Sequence, residues 1–435
     1  MRVKTSAAVA LLGGILLSGQ ALAQLDSTEQ AMIDWIDANA DASIELLEQT
    51  VNIGSGTMNH DGVRVVGRVM RAELDELGLE TEWIELPPEA NRAGHLVGKL
   101  DGHRGKKLLL IGHLDTVFEA DDNFQAFRRE GNTAIGPGVE DMKSGNVVIV
   151  YALKALQAAG ALDGMQVIVF YTGDEEKAGR PLSVSRKDLI ESGKWADVAL
   201  GFESGHREDG QDWATIARRS SSDWKLEVTG RQAHSSQVFS EDVGAGAIFE
   251  AARILNAFYE QVRGEQFLTF NAGAILGGTT VDYDSENNRG SAFGKTNVVP
   301  NTVTVHGGIR TISPEQLARA QEAMLTVVTS NLPHTEATLT FTEGYPPMAP
   351  TEGNMRLQAI LSEISEALGR GPMPAMDPLK RGAADISFVA PHTDSLAGMG
   401  GFGAGGHTPN ESFEIDSMPI AIKRAAILMY RLSNQ

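Results

Sequence analysis

Apolar residues recur at helical spacing over residues 29–51 and again over 62–79, whereas residues 80–86 alternate with the period of a strand. The pattern then changes. Residues 107–112, 166–172 and 196–202 are short, nearly continuous apolar runs bounded by glycine or charge, as expected of strands buried on both faces of a mostly parallel sheet. Helical stretches separate them, chiefly residues 146–159. Such alternation predicts an α/β domain with a doubly wound, mostly parallel sheet, which places ligands outside the carboxyl ends of its strands. From residue 214 the pattern differs again: a strand to 228, a helix over 244–262, strands at 267–276 and 302–309, a helix over 314–329 and a strand over 337–342. That order reads as a βαββαβ unit of α+β character. Helical patterns at 355–368 and 419–432 follow Tyr345-Pro346-Pro347. The expected organisation is therefore an outer domain of residues 24–213 and 344–435, interrupted by an inserted unit at 214–343.

Composition narrows the function. The 435 residues are 42% apolar and 22% charged, which is globular, and the formal charge is −20. This charge argues against nucleic acid or an anionic membrane as partner, since both are met by basic patches. An anionic substrate needs local attraction from a metal or an arginine. The chain opens Met1-Arg2-Val3-Lys4, continues with an apolar run over 7–17, and reaches Ala21-Leu22-Ala23 before Gln24. This is the order of a secretory signal with cleavage after Ala23, and the run is shorter than the roughly 20 residues of a spanning helix. The expectation is a secreted or periplasmic protein free of the membrane after cleavage. Cysteine is absent, so disulfides and thiolate ligands are excluded and any metal site uses His, Asp and Glu.

Five segments carry candidate chemistry. Gly112-His113-Leu114-Asp115-Thr116 follows an apolar run, and residues two apart in extended chain share a face. His113 can thus ligate a metal while Asp115 orients its ring through the other nitrogen; a surface hydrogen-bonded pair is the plainer reading of the two alone. Gly136-Pro137-Gly138-Val139-Glu140-Asp141 presents a carboxylate before a helix, where Asp141 as a cap is the alternative. Gly173-Asp174-Glu175-Glu176 and Gly201-Phe202-Glu203-Ser204 each follow an apolar run, and Gly405-Gly406-His407 lies in a glycine-rich loop. Singly each is bland; together they put acids and histidines where one crevice at the strand ends would collect them.

In this order the segments resemble the glutamate carboxypeptidase, aminoacylase and succinyl-diaminopimelate desuccinylase family of di-zinc hydrolases, over essentially the whole chain beyond the leader. The resemblance implies two zinc or other divalent ions per subunit. His113 and Glu203 would bind one, Glu176 and His407 the other, and Asp141 would bridge them; Glu175 would be the general base acting on a metal-bridging water. It further implies a cis Asp141–Met142 peptide and a homodimer joined through the inserted lid. In Gly230-Arg231-Gln232-Ala233-His234-Ser235, His234 corresponds to the histidine that reaches the partner's site and stabilises the oxyanion. Asn297 and Arg310 correspond to residues that hold the substrate's terminal carboxylate, a task suited to a planar guanidinium. The implied activity is a metal-dependent exopeptidase of carboxypeptidase type, acting on a small peptide or N-acyl amino acid.

The chain also departs from the pattern. Gly308 stands where an acid usually lies two residues before the arginine, and the pocket segment reads Gly382-Ala383-Ala384-Asp385-Ile386. The stretch Asp212-Trp213-Ala214-Thr215 has no lysine where glutamate-specific members place one, which points to an apolar or aromatic side chain in the substrate. An N-acyl-amino-acid deacylase or a dipeptidase would use the same metals. A metal-free periplasmic binding protein would have lost a ligand or the base, and all are present; a calcium-binding surface protein would use oxygen ligands alone rather than two histidines.

Overall fold

The computed structural model describes residues 25–285 and 287–435, so the segment expected to be a secretory signal lies outside the described residues. Its central sheet has six strands in the order Glu80–Ile84, His95–Leu100, Met165–Thr172, Arg104–His113, Val198–Gly201 and Asp394–Leu396. The last four are mutually parallel and the first two run antiparallel at one edge, so the sheet is mostly parallel, as its uninterrupted apolar runs predict. Leu108, Leu109, Leu110, Val167, Val169 and Leu200 are all buried, since helices cover both faces. The helix Ser144–Ala158 is buried nearly throughout and packs beside the C-terminal helix Ser417–Ser433. Arg104–His113 is flanked on one side by Met165–Thr172 and on the other by Val198–Gly201. The chain order reverses at that strand, which opens a crevice at the carboxyl ends of the three.

A second sheet, wholly antiparallel, runs in the order Thr269–Gly278, Thr302–Arg310, Ser221–Gly230, Thr335–Tyr345. Along Ser221–Gly230 the side chains of Ser222, Trp224, Leu226 and Val228 are buried while Asp223, Glu227 and Thr229 are exposed, the period-two pattern of a sheet with one covered face. Helices Ala247–Gln261 and Pro314–Val328 supply the cover and share a separate hydrophobic cluster with that face.

Local expectations shift in three places. The apolar stretch 29–51 is two helices, Ser27–Ala38 and Ala40–Val51, broken at Asn39. The strand expected from residue 214 begins at Ser221; before it, Ala214, Thr215 and Arg218 make isolated bridges to Ala375, Ala397 and Met348. The βαββαβ order also carries an unforeseen hairpin, Thr280–Asp284 with Arg289–Phe293.

Candidate active site

The crevice collects its residues from the ends of the parallel strands. His113 is the last residue of Arg104–His113, Glu175 and Glu176 follow Met165–Thr172 within a tight turn, and Glu203 follows Val198–Gly201. Asp141 precedes the buried helix Ser144–Ala158, and His407 arrives on the glycine loop.

Asp141 is the centre. One of its carboxylate oxygens, Oδ1, lies 3.2 Å from His113 Nε2 and the other, Oδ2, lies 3.2 Å from His407 Nε2. His407 Nε2 is also 3.2 Å from Glu176 Oε2. Ligand atoms of His113, Asp141 and Glu176 all fall within 4.8 Å of one another. The Asp141–Met142 peptide is cis, in agreement with the resemblance. Gly138 turns the chain into this segment at φ +72°, and a Cβ there would meet Thr116 Cγ2 at 2.5 Å, so both backbone and space demand glycine.

His113 and Asp115 meet through both the carbonyl and the carboxylate of the aspartate. The ring Nδ1 lies 3.0 Å from the backbone carbonyl of Asp115 and 3.5 Å from its carboxylate. A carbonyl can only accept, so Nδ1 carries a proton and Nε2 is the nitrogen turned toward Asp141. The Asp115 carboxylate also accepts the N–H groups of Glu175 and Glu176 at 3.0 and 3.1 Å and the Thr57 hydroxyl at 2.6 Å. It therefore shapes the turn that carries both glutamates.

Electrostatics reflect the crowding of acids. Burial pushes the Glu175 carboxyl well above its ordinary value; His113 opposes this and Asp385, Glu203 and Glu176 add to it. Glu176 is raised to about 7, first by burial, against the hydrogen bond from His407. His407 is raised to about 11 by its hydrogen bonds to Asp141 and Glu176. Burial disfavours the charge on His113, but Asp115 and Asp141 outweigh it and hold the ring well above its usual value.

Glu203 lines the same recess as His113 and Asp385, yet its Oε2 is paired with Arg218 Nη2 at 2.6 Å. His234 is apart from the acids: it is exposed, and its Nδ1 lies 2.9 Å from Ser236 Oγ. Asn297 touches this segment through its carbonyl, which accepts from Ser235 N–H at 2.9 Å. Arg310 ends the strand Thr302–Arg310 with its Nη1 beside Gly382, and it makes no side-chain hydrogen bond or ion pair among the described residues. Sequence reasoning missed Glu411, whose buried carboxylate accepts the N–H groups of Gly138, Glu140 and Asp141 at 3.0, 2.8 and 2.9 Å and so builds the Asp141 turn. It also missed Arg218, and Arg381, whose guanidinium donates to the Ser204 carbonyl. The doublet Arg218-Arg219 is no signal, since basic doublets also stand at Arg128-Arg129 and Lys380-Arg381.

A strand-end histidine, a loop histidine, a shared carboxylate and flanking glutamates are the donor set of a metallohydrolase. A family model described as Peptidase family M20/M25/M40 matches residues 109–431. The chain belongs to this peptidase family. Carboxypeptidase G2 of Pseudomonas sp. (strain RS-16) is 27% identical over 447 residues, covering 99% of this chain and 98% of that protein. Among solved structures, a tripeptidase from Staphylococcus aureus superposes with a TM-score of 0.68 at 17% identity, over 91% of this chain and 99% of its own. A Bacillus subtilis protein described as a dinuclear metal binding peptidase of the M20 family gives 0.61 at 13% identity, over 91% and 98%. These structural likenesses show the fold. This M20-family hydrolase carries a candidate metal site, and its nitrogen and carboxylate donors suit zinc.

Proposed function

We propose that this M20 peptidase is a carboxypeptidase-type hydrolase that cleaves the amide next to a free terminal carboxylate, with Glu175 moving the proton. The observation that carries the reading is the Asp141 carboxylate, whose two oxygens each face a different histidine. That is the disposition of a ligand shared between two cations. His113 and Glu203 would hold one ion and Glu176 and His407 the other, with Asp141 common to both. When bound, two zinc-type ions supply Lewis-acid polarisation and lower the pKa of a shared water.

Glu175 is fixed for its task at both ends of its peptide unit: its N–H is held by Asp115 at 3.0 Å and its carbonyl by the Tyr345 hydroxyl at 2.8 Å. A carboxyl shifted upward by burial lies nearer the working pH of a general base, and it can take a proton from water and return it to the leaving nitrogen. Arg310, with its guanidinium uncommitted, and Asn297 would hold the terminal carboxylate. The full-length relation to carboxypeptidase G2 supports this assignment.

His234 would complete the site of a second copy as its oxyanion donor. In support, the strand Thr269–Gly278 is an open sheet edge, and the exposed Ile275, Phe239 and Phe249 give the same unit an apolar surface for a homodimer. Mixing His234→Ala protein with an Asp141→Ala variant should then restore activity; failure despite demonstrated subunit exchange would reject completion in trans. Removal of residues 1–23 as an export signal is part of the same reading.

The test is a hydrolysis screen of dipeptides and N-acyl amino acids, each as free acid and as amide, with and without chelator. Cleavage confined to free acids and abolished by chelator is expected. Equal cleavage of amides, or indifference to chelator, would overturn the reading, and the ratio of dipeptide to N-acyl turnover separates a carboxypeptidase from a dipeptidase or deacylase.

A further inference from the structure

Two stretches of chain link the large sheet to the four-stranded one beside the crevice, and they are bonded to each other. Arg218 and Met348 exchange both backbone hydrogen bonds, each at 2.9 Å. From this bridge Arg218 sends a side chain that is only 6% exposed into the acid cluster. Its Nη2 lies 2.6 Å from Glu203 Oε2, and its Nε–H donates to the Gly382 carbonyl at 2.7 Å. The second link does the same: the Tyr345 hydroxyl donates to the carbonyl of Glu175 at 2.8 Å.

Glu203 takes no side-chain hydrogen bond among the described residues, so Arg218 is its one close polar partner there. A glutamate has several rotatable bonds, and a ligand free to rotate gives up entropy each time an ion binds. A guanidinium is planar, and its donors stand in a fixed fork. Because one arm of this fork is anchored on Gly382, the other arm holds its carboxylate at a defined place. Arg381 adds charge nearby, attracted by Glu203 and repelled by Arg218.

We propose that Arg218 is a positioning residue for the metal site, pinning one oxygen of Glu203 so that the other is presented as a ligand. The proposal rests on the reading of Glu203 as a ligand. Through Gly382, against which Arg310 Nη1 lies, the same arginine ties that ligand to the segment backing the substrate's carboxylate position. Lysine has rotatable donors on a flexible stem and no rigid fork, so it holds Glu203 less firmly in place; at this position Arg→Lys is not conservative.

The experiment is a calorimetric titration of metal-free full-length protein with Zn2+, together with the visible spectrum of the Co2+ form, for wild type, Arg218→Gln, Arg218→Lys, Glu203→Gln and the Arg218→Gln/Glu203→Gln double variant. Loss of a residue that orients a ligand typically weakens metal affinity about 10- to 100-fold. Arg218→Gln should show that loss for one ion and leave the other at wild-type affinity, with Arg218→Lys between and the Co2+ spectrum altered at one ion alone. In the Glu203→Gln background the Arg218 substitution should change nothing further, a result that a merely structural role would not give. Wild-type affinity for both ions in Arg218→Gln, or an undiminished loss when Glu203 is already Gln, would overturn the proposal. Wild-type binding by Glu203→Gln alone would instead overturn the ligand assignment on which it rests.

Discussion

Replacing Arg186 by methionine should strand two buried aspartates behind the active site. Arg186 has no exposed side-chain surface; its Nη1 is 2.6 Å from Asp174 Oδ1 and its Nε 2.8 Å from Asp385 Oδ1. Its Nη2 donates to the Asp174 carbonyl at 3.0 Å and to the Tyr345 hydroxyl at 2.6 Å. After substitution Asp174 keeps the Gly179 N–H at 2.8 Å and Asp385 keeps the Thr172 hydroxyl at 2.5 Å, so each retains one donor and loses its cation. Breaking a buried pair from one side costs about 3–5 kcal/mol, because the remaining charge is left in low dielectric. Methionine fills much of the arginine stem's volume, so the loss is electrostatic in origin rather than a cavity. Urea unfolding with chelator present, which removes stabilisation by metal binding, reads the difference directly. Adding Asp385→Asn to Arg186→Met should return part of the loss, with a coupling of about 0.5–3 kcal/mol. A single variant within about 0.5 kcal/mol of wild type, or strictly additive effects, would refute the reasoning.

Three further outcomes follow from the same geometry. Glu175→Gln keeps shape and removes the proton acceptor, so turnover should fall about 10²–10⁴-fold while bound metal, measured by elemental analysis, is unchanged; equal loss of metal would make Glu175 a ligand instead. Arg310→Ala should lower kcat/KM for free-acid substrates at least about tenfold, since a hydrogen bond to a charged group contributes about 1.5–3 kcal/mol, and should leave any residual cleavage of amides untouched. Burial disfavours the ionised Asp212, but hydrogen bonds from Arg207 at 2.6 Å and Arg424 at 2.7 Å outweigh it and hold the carboxyl below its ordinary value. A depressed folded pKa means that this stabilisation is complete above the unfolded value, about 3.9, and is lost as pH falls through the folded one. Unfolding midpoints taken from roughly pH 5 to 3 should therefore drop more steeply for wild type than for Asp212→Asn.

What could be read from the chain follows burial. The runs ending at His113, Glu175 and Glu203 are legible because their strands are covered on both faces and so are apolar without interruption, and the acids that follow break the pattern at the crevice. The break at Asn39 is hidden, since buried Ile36, Ile44 and Leu47 continue one apolar spacing across it. In the hairpin, Arg289–Phe293 leaves no period, every residue of that strand being exposed, and its partner Thr280–Asp284 alternates over only five residues. Glu411 is invisible for another reason: it acts on Gly138, 273 positions away, and nothing in its own neighbourhood marks the partner. Arg218 shares that fate, because its meaning depends on Glu203 and Gly382 coming together. Asp115 shows a finer limit. Its position two residues after His113 correctly put it beside the ring, but spacing does not say whether carbonyl or carboxylate meets the nitrogen.

The central claim is that Asp141 stands between two catalytic cations. Anomalous diffraction at the zinc edge, from crystals grown with zinc, tests it most directly. Two peaks flanking the Asp141 carboxylate are expected, one bonded to His113 and Glu203 and the other to His407 and Glu176. A single peak, or two that leave Asp141 uncoordinated, would contradict it.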